Sequence, residues 1–233
     1  MGFRKTDQKM SRLSTRPKMR NTPRVRTCFL VDCTGSMEPW IQAAKNQIVD
    51  IVKATDATDY EVAFVGYRDY GDRVRFHILH FMGPQDLVGA MEPIHAEGGM
   101  DVAEDVAGGL LAVRELNWSN SDVRTIVHIA DAPPHGMAFH DVYESDRFPN
   151  GDPGGIDPLA LMKEFSDREF NYTFVRINSS TDTMLAEFHN VYTSPFVVLD
   201  LEGQSRRRMT DGIVRSVNSS IERYTASQDP AEE

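Results

Sequence analysis

Asp32, Thr34 and Ser36 stand two residues apart in the segment Asp32-Cys33-Thr34-Gly35-Ser36. Further along, Asp131 opens Asp131-Ala132-Pro133-Pro134-His135-Gly136, and Asp101 follows a glycine pair in Gly98-Gly99-Met100-Asp101. A short turn adds Arg68, Asp69 and Asp72. Carboxylates and hydroxyls together, without thiolate or imidazole, make a site for a hard divalent cation. Mg2+ is the first choice, with waters completing an octahedron, and Mn2+ or Ca2+ are the other ions that oxygen donors of this kind accept. The two glycines allow the backbone to come close to whatever is bound. The competing structural use is that Thr34 and Ser36 cap a helix while Asp131 ends a strand. An acid after a later strand (Asp131) and another before a later helix (Asp101) favour the metal.

Such side chains converge only if strands deliver them to one edge. Val25–Asp32 is almost continuously apolar toward its end, the pattern of a central strand buried on both faces. A helix is expected over Met37–Ala54, where Met37, Ile41, Ala44, Ile48, Ile51 and Val52 recur at helical spacing. Glu61–Tyr67 and Val74–Phe81 read as strands, and the Arg68–Arg73 turn between them is too short for a crossover helix, so they pair as a hairpin. Short helices are expected over Gln85–Glu92 and Val102–Leu116, and strands over Asp122–Ala130, Tyr172–Ile177 and Phe196–Leu201. Helices near Leu159–Phe165 and over Arg206–Tyr224 complete an α/β alternation, with Gly108 and Gly109 permitting a helix to pack tightly on the sheet. In an open parallel sheet, ligands bind beyond the carboxyl ends of the strands, where strand order reverses. Asp32 and Asp131 both end strands.

Asp32-Cys33-Thr34-Gly35-Ser36 resembles the Asp-x-Ser/Thr-x-Ser motif of von Willebrand factor type A (VWA) domains, where it builds a metal-ion-dependent adhesion site (MIDAS). The order strand, motif, helix, hairpin, Gly-rich loop, strand ending in Asp is similar as well, over about Val25–Tyr224. Gly66-Tyr67-Arg68-Asp69-Tyr70, Gly98-Gly99-Met100-Asp101-Val102-Ala103-Glu104-Asp105, the Asp131 segment and Arg176-Ile177-Asn178-Ser179-Ser180 look like the A domains found beside alpha-type protein kinases. The resemblance implies a doubly wound, Rossmann-like, mostly parallel six-stranded sheet with one antiparallel edge strand and helices on both faces. It implies that Asp32, Thr34, Ser36 and Asp131 are metal ligands, direct or through water. It places Asp101 where the family usually has Thr, with Asp69 a weaker contributor. It also implies a protein-binding module, not an enzyme, whose metal takes a Glu or Asp from a partner protein. A cation held mainly by neutral hydroxyls keeps enough charge to attract such a group.

Two other functions compete. Asp-Cys-Thr-Gly-Ser is also similar to the Asp-Lys-Thr-Gly-Thr motif of haloacid-dehalogenase-like phosphohydrolases, in which Asp32 would be the nucleophile. Those enzymes need a later lysine and a paired acidic motif, whereas prolines and His135 follow Asp131 and Lys163 lies mid-helix. The chain is also too short to add a kinase catalytic domain to an A domain, so it would be a fragment or regulatory portion of an alpha-type kinase. In the long connection from Asp131 to Pro158, His135, His140, Asp141 and Glu144 have no helical zinc spacing, and Asp146, Asn150, Asp152 and Asp157 have no calcium-loop spacing. That connection is expected to be a solvated lid.

The 233 residues carry a net charge of −10 that conceals two regions of opposite sign. Met1–Arg26 holds nine Lys/Arg against Asp7 alone, and the remainder holds 16 basic against 34 acidic residues. An acidic globule argues against nucleic-acid binding except through the basic arm. The arm (1–24) is expected to be disordered. Its Met1–Thr6 formally matches a myristoylation pattern that Phe3 fits poorly. The globule would occupy 25–225 and a polar tail 226–233. No apolar run suits a membrane span or a secretory leader. Cys28 and Cys33, about 16 Å apart along one extended segment, cannot bridge. These features fit a cytoplasmic protein.

Overall fold

Runs of β-branched and aromatic residues become six strands: β1 Arg24–Asp32, β2 Asp59–Tyr67, β3 Phe76–Met82, β4 Val123–Ala130, β5 Asn171–Arg176 and β6 Phe196–Asp200. Six helices connect or flank them: α1 Glu38–Lys53, α2 Pro84–Met91, α3 Val106–Glu115, α4 Pro158–Asp167, α5 Asp182–Val191 and α6 Arg207–Gln228. The computed structural model describes residues 22–228, apart from 56, 58, 143 and 205–206. Most of the expected basic arm therefore lies outside the described residues.

The sheet order is β3-β2-β1-β4-β5-β6. All neighbours run parallel except β3, which pairs antiparallel with β2 as the edge strand expected from the short turn. Two apolar clusters cover the two faces. One joins Phe29, Val31, Val127 and Val175 to Ile41, Ile48, Leu87, Met209 and Ile213, so α1, α2 and α6 lie on that side. The other joins Leu30, Val65, Ile126 and Phe174 to Leu110, Met162, Phe165, Leu185 and Phe188 from α3, α4 and α5. Each fully buried Leu, Ile or Phe contributes about 1.5–3 kcal/mol. Cys28 and Cys33 belong to opposite clusters and are both free.

The chain leaves β1 for α1 on one face and β4 for α4 on the other. The order reversal therefore opens a crevice between the carboxyl ends of β1 and β4. At the opposite edge, Asp122 N–H donates to Arg24 O (2.9 Å), and Arg223 near the end of α6 donates to Asn171 Oδ1 at the start of β5 (2.8 Å). The described chain thus begins and ends on the edge away from the crevice.

Three expectations need correction. The helix before β4 begins at Val106, not Val102, because the backbone of 102–104 is bonded to a distant segment: Val102 N–H donates to Ser145 O and Glu104 N–H to Pro133 O. Helix α5, the crossover that parallel β5 and β6 require, was not anticipated. The 131–157 connection is not a solvated lid, since His135, Phe139 and His140 are buried in it.

Candidate metal centre

Asp32 is the last residue of β1 and fully buried. Its Oδ1 accepts from the Thr34 backbone N–H (2.8 Å) and the Thr34 hydroxyl (2.7 Å). The Ser36 hydroxyl, at the exposed rim, bonds to Asp131. Neither hydroxyl caps a helix: no side-chain bond closes the start of the single 3-10 turn Gly35–Met37 or of α1. Both are turned instead toward the two strand-end carboxylates.

The structure thus brings Asp32, Thr34, Ser36 and Asp131 to one crevice. Asp32 Oδ2 is buried there without a hydrogen-bond partner. Burial, then the charge on Asp131, pushes the Asp32 carboxyl up to about 7 against the opposing bonds from Thr34. Burial also raises Asp131, against the Ser36 bond. A buried carboxylate oxygen with no donor, beside a second carboxylate and two hydroxyls, fits a hard divalent cation.

Glu104 escaped the sequence analysis. It is buried, its Oε2 has no partner, and burial followed by the charge of Asp32 pushes it up to about 10. Gly99, at φ +79°, makes room: a Cβ there would lie 2.8 Å from Glu104 Oε1 and 3.2 Å from Thr34 Cβ. The signal lay in the same Gly-rich segment, three residues beyond Asp101.

Asp101 takes a different direction. Its Oδ2 accepts from Arg147 N–H (2.6 Å), and its Oδ1 is buried without a partner near Asp69 and His135. Asp69 is itself 1% exposed and meets His135 Nε2 at 2.7 Å. Asp72 accepts from the backbone of Asp69 (3.1 Å) and Gly99 (3.3 Å), bracing the turn against the glycine loop.

The loops are held by two buried cations that the motifs did not identify as organisers. Arg68, 2% exposed, donates to Cys33 O (3.1 Å), His95 O (2.8 Å), Val74 O (3.2 Å) and Glu97 Oε1 (2.5 Å). One planar guanidinium so joins the Asp32 loop, the glycine loop and the hairpin turn. Lys45 of α1 donates to Ile94 O (2.7 Å) and Glu92 O (3.2 Å), closing the carboxyl end of α2 where the glycine loop begins. Lys163, the lysine considered for phosphoryl transfer, is exposed on α4 and pairs with Asp167 at 2.8 Å.

A mostly parallel six-stranded sheet in this order, with one antiparallel edge and its crevice at the reversal, is a VWA-like α/β fold. Solved structures share it. The VWA domain of SpRpn10 aligns with 82% of this chain and 95% of its own at a TM-score of 0.52 and 12% identity. Proximal thread matrix protein 1 of the mussel byssus, solved with a zinc-occupied MIDAS motif, aligns with 86% of this chain and 46% of its own at 0.56 and 14%. In sequence, the alpha-protein kinase vwkA of Dictyostelium discoideum is 31% identical over 204 residues, 83% of this chain. The chain spans about a third (32%) of that curated relative. No protein-family model matches the chain.

Proposed function

We propose that this chain is a divalent-metal-dependent protein-binding module. Thr34 and Ser36 would hold the ion, backed by Asp32 and Asp131 directly or through water, and the ion's free position would take a Glu or Asp of a partner. The observation that carries this is the use of the two hydroxyls: both face strand-end carboxylates instead of capping a helix, beside the unpartnered Asp32 Oδ2. When bound, the ion supplies a Lewis-acidic position for an outside carboxylate. The chain's own residues orient the hydroxyls, bury Asp32 and leave Ser36 at an open rim. The zinc-occupied MIDAS of the byssus protein supports divalent-ion binding on this fold. Mg2+ is proposed because hydroxyl and carboxylate oxygens suit it, with Mn2+ or Ca2+ as the other candidates.

Similarity to vwkA supports a setting beside a protein kinase, in one chain or two. Two buried free thiols suit a cytoplasmic location. Among the described residues, no helix is long and apolar enough to cross a membrane.

The test is thermal unfolding in EDTA and then with Mg2+, Mn2+ or Ca2+, beside Asp32→Ala. An ion at a hundred times its dissociation constant adds about 2.7 kcal/mol, a midpoint rise of several degrees for a domain of this size. The rise is expected in the wild type and absent from Asp32→Ala. No rise with any ion overturns the proposal. Turnover of a phosphate monoester that Asp32→Asn abolishes would replace it with the phosphohydrolase reading.

A further inference from the structure

Asp101 of the glycine loop and His135 and Asp146 of the 131–157 connection each bring a ligand atom within 4.8 Å of the others. Asp69 joins them. Its Oδ1 lies 2.7 Å from His135 Nε2, and its carboxylate is within hydrogen-bonding reach of that of Asp101. Yet Asp69 Oδ2 and Asp101 Oδ1 are both buried with no hydrogen-bond partner. Two buried carboxylates this close repel, in a medium that screens poorly, unless a proton or a cation stands between them. The imidazole of His135 meets Asp69 through the other oxygen, Oδ1.

Asp146 plays a different part. It accepts from Gly136 N–H (2.8 Å), Phe148 N–H (2.8 Å), His140 Nε2 (3.0 Å) and His135 Nδ1 (2.8 Å). Those bonds occupy both its oxygens and fix it in place. A carboxylate that takes the Nδ1 proton of a histidine orients the ring and leaves Nε2 as the coordinating nitrogen. The ring is further clamped edge-to-face by Phe148 at 4.9 Å between centroids.

We propose that Asp69, Asp101 and His135 Nε2 form a second divalent-cation site beside the Asp32 crevice, with Asp146 as its outer-sphere carboxylate. The imidazole beside two carboxylates favours Zn2+ over Mg2+ or Ca2+, which take oxygen ligands. The Nε2–Asp69 hydrogen bond is the contact that closes when no ion stands between them. The site draws on residues outside the Asp32, Thr34, Ser36 and Asp131 set, so it stands or falls separately.

The experiment loads the EDTA-stripped full chain with Zn2+, desalts it, and counts ions per chain by mass spectrometry. The wild type, Asp32→Ala, His135→Gln and Asp101→Asn are compared. Asp101→Asn is nearly isosteric, its side chain can still accept from Arg147 N–H, and unfolding midpoints in EDTA identify any variant that fails to fold. Two ions are expected in the wild type and one in each variant. The Co2+ form should show a visible absorption band that His135→Gln and Asp101→Asn lose and Asp32→Ala keeps. Zinc content and Co2+ spectrum unchanged in His135→Gln and Asp101→Asn would overturn the proposal. One ion that only Asp32→Ala removes would also overturn it while leaving the adhesion-type site intact. One ion that only the His135 and Asp101 variants remove would support this site and overturn the other.

Discussion

Arg68 shows how much of this site rests on a residue that would touch no ligand. Its guanidinium serves four acceptors on three loops. Lysine keeps the charge but not the planar fork, so Arg68→Lys leaves buried carbonyls unpaired at a cost of about 2–4 kcal/mol. Urea unfolding should show that loss as a lower midpoint, and the metal-induced rise in melting temperature should shrink as the loops separate. The chemistry-bearing residues themselves were legible. Asp32, Thr34, Ser36 and Asp131 were identified by type, spacing and position at strand ends, and they do meet. Glu104 and the surroundings of Asp101 were not legible. Which acid of Gly98-Gly99-Met100-Asp101-Val102-Ala103-Glu104-Asp105 turns toward Asp32 depends on the path of 102–104, and that path is set by Ser145 and Pro133 from a distant segment.

Among the elements, strands were easier to read than helices. β1 and β4 are buried on both faces, so their apolar runs are nearly unbroken. Helix α5 buries only Met184, Leu185 and Phe188 in ten residues, too faint a stripe to register without the parallel β5–β6 pairing it connects. The connection 131–157 has no period at all. Its order comes from contacts across the chain, such as Tyr70 O–H to Asp152 Oδ2 at 2.6 Å, and from the four bonds that Asp146 accepts within the connection itself. The glycines of two helices provide a signed comparison. A Cβ at Gly109 of α3 would lie 2.8 Å from Tyr67 and 3.1 Å from Leu30, so Gly109→Ala should cost about 1–3 kcal/mol. Gly89 of α2 has open space around that position, and Gly89→Ala should add about 0.4–1 kcal/mol. Urea midpoints moving in opposite directions would verify both; a stabilised Gly109→Ala would show that the α3–sheet contact is looser than described.

For the whole molecule, pH enters through His128, which is fully buried at the centre of the sheet between the hydroxyls of Tyr67 (2.9 Å) and Tyr172 (2.7 Å). Burial pushes its imidazole down to about 3 from 6.5. Between those values the unfolded chain binds a proton that the folded chain does not. Stability from this residue is therefore complete above about pH 6.5 and falls as the solution is acidified, by up to about 1.4 kcal/mol per pH unit. Unfolding free energies of wild type and His128→Gln, measured from pH 7.5 to 4.5, should converge toward acid as the wild type alone loses this increment. Parallel curves would mean that His128 titrates alike in the folded and unfolded chain, and so is not held neutral by burial. The carboxylates of the crevice shift in the opposite sense, and the difference between the two proteins cancels them.

The described chain begins at the foot of β1 and ends beside the foot of β5, while the crevice opens at the far ends of the strands. A nine-residue strand separates the two edges, about 30 Å. A surface, bead or second protein joined directly at Thr22 or Gln228 would then stand behind the sheet, and the crevice would face outward like the head of a nail. Copies fixed side by side on such a support would all present their rims in the same direction, so a partner with several acidic segments could be held by many weak contacts at once.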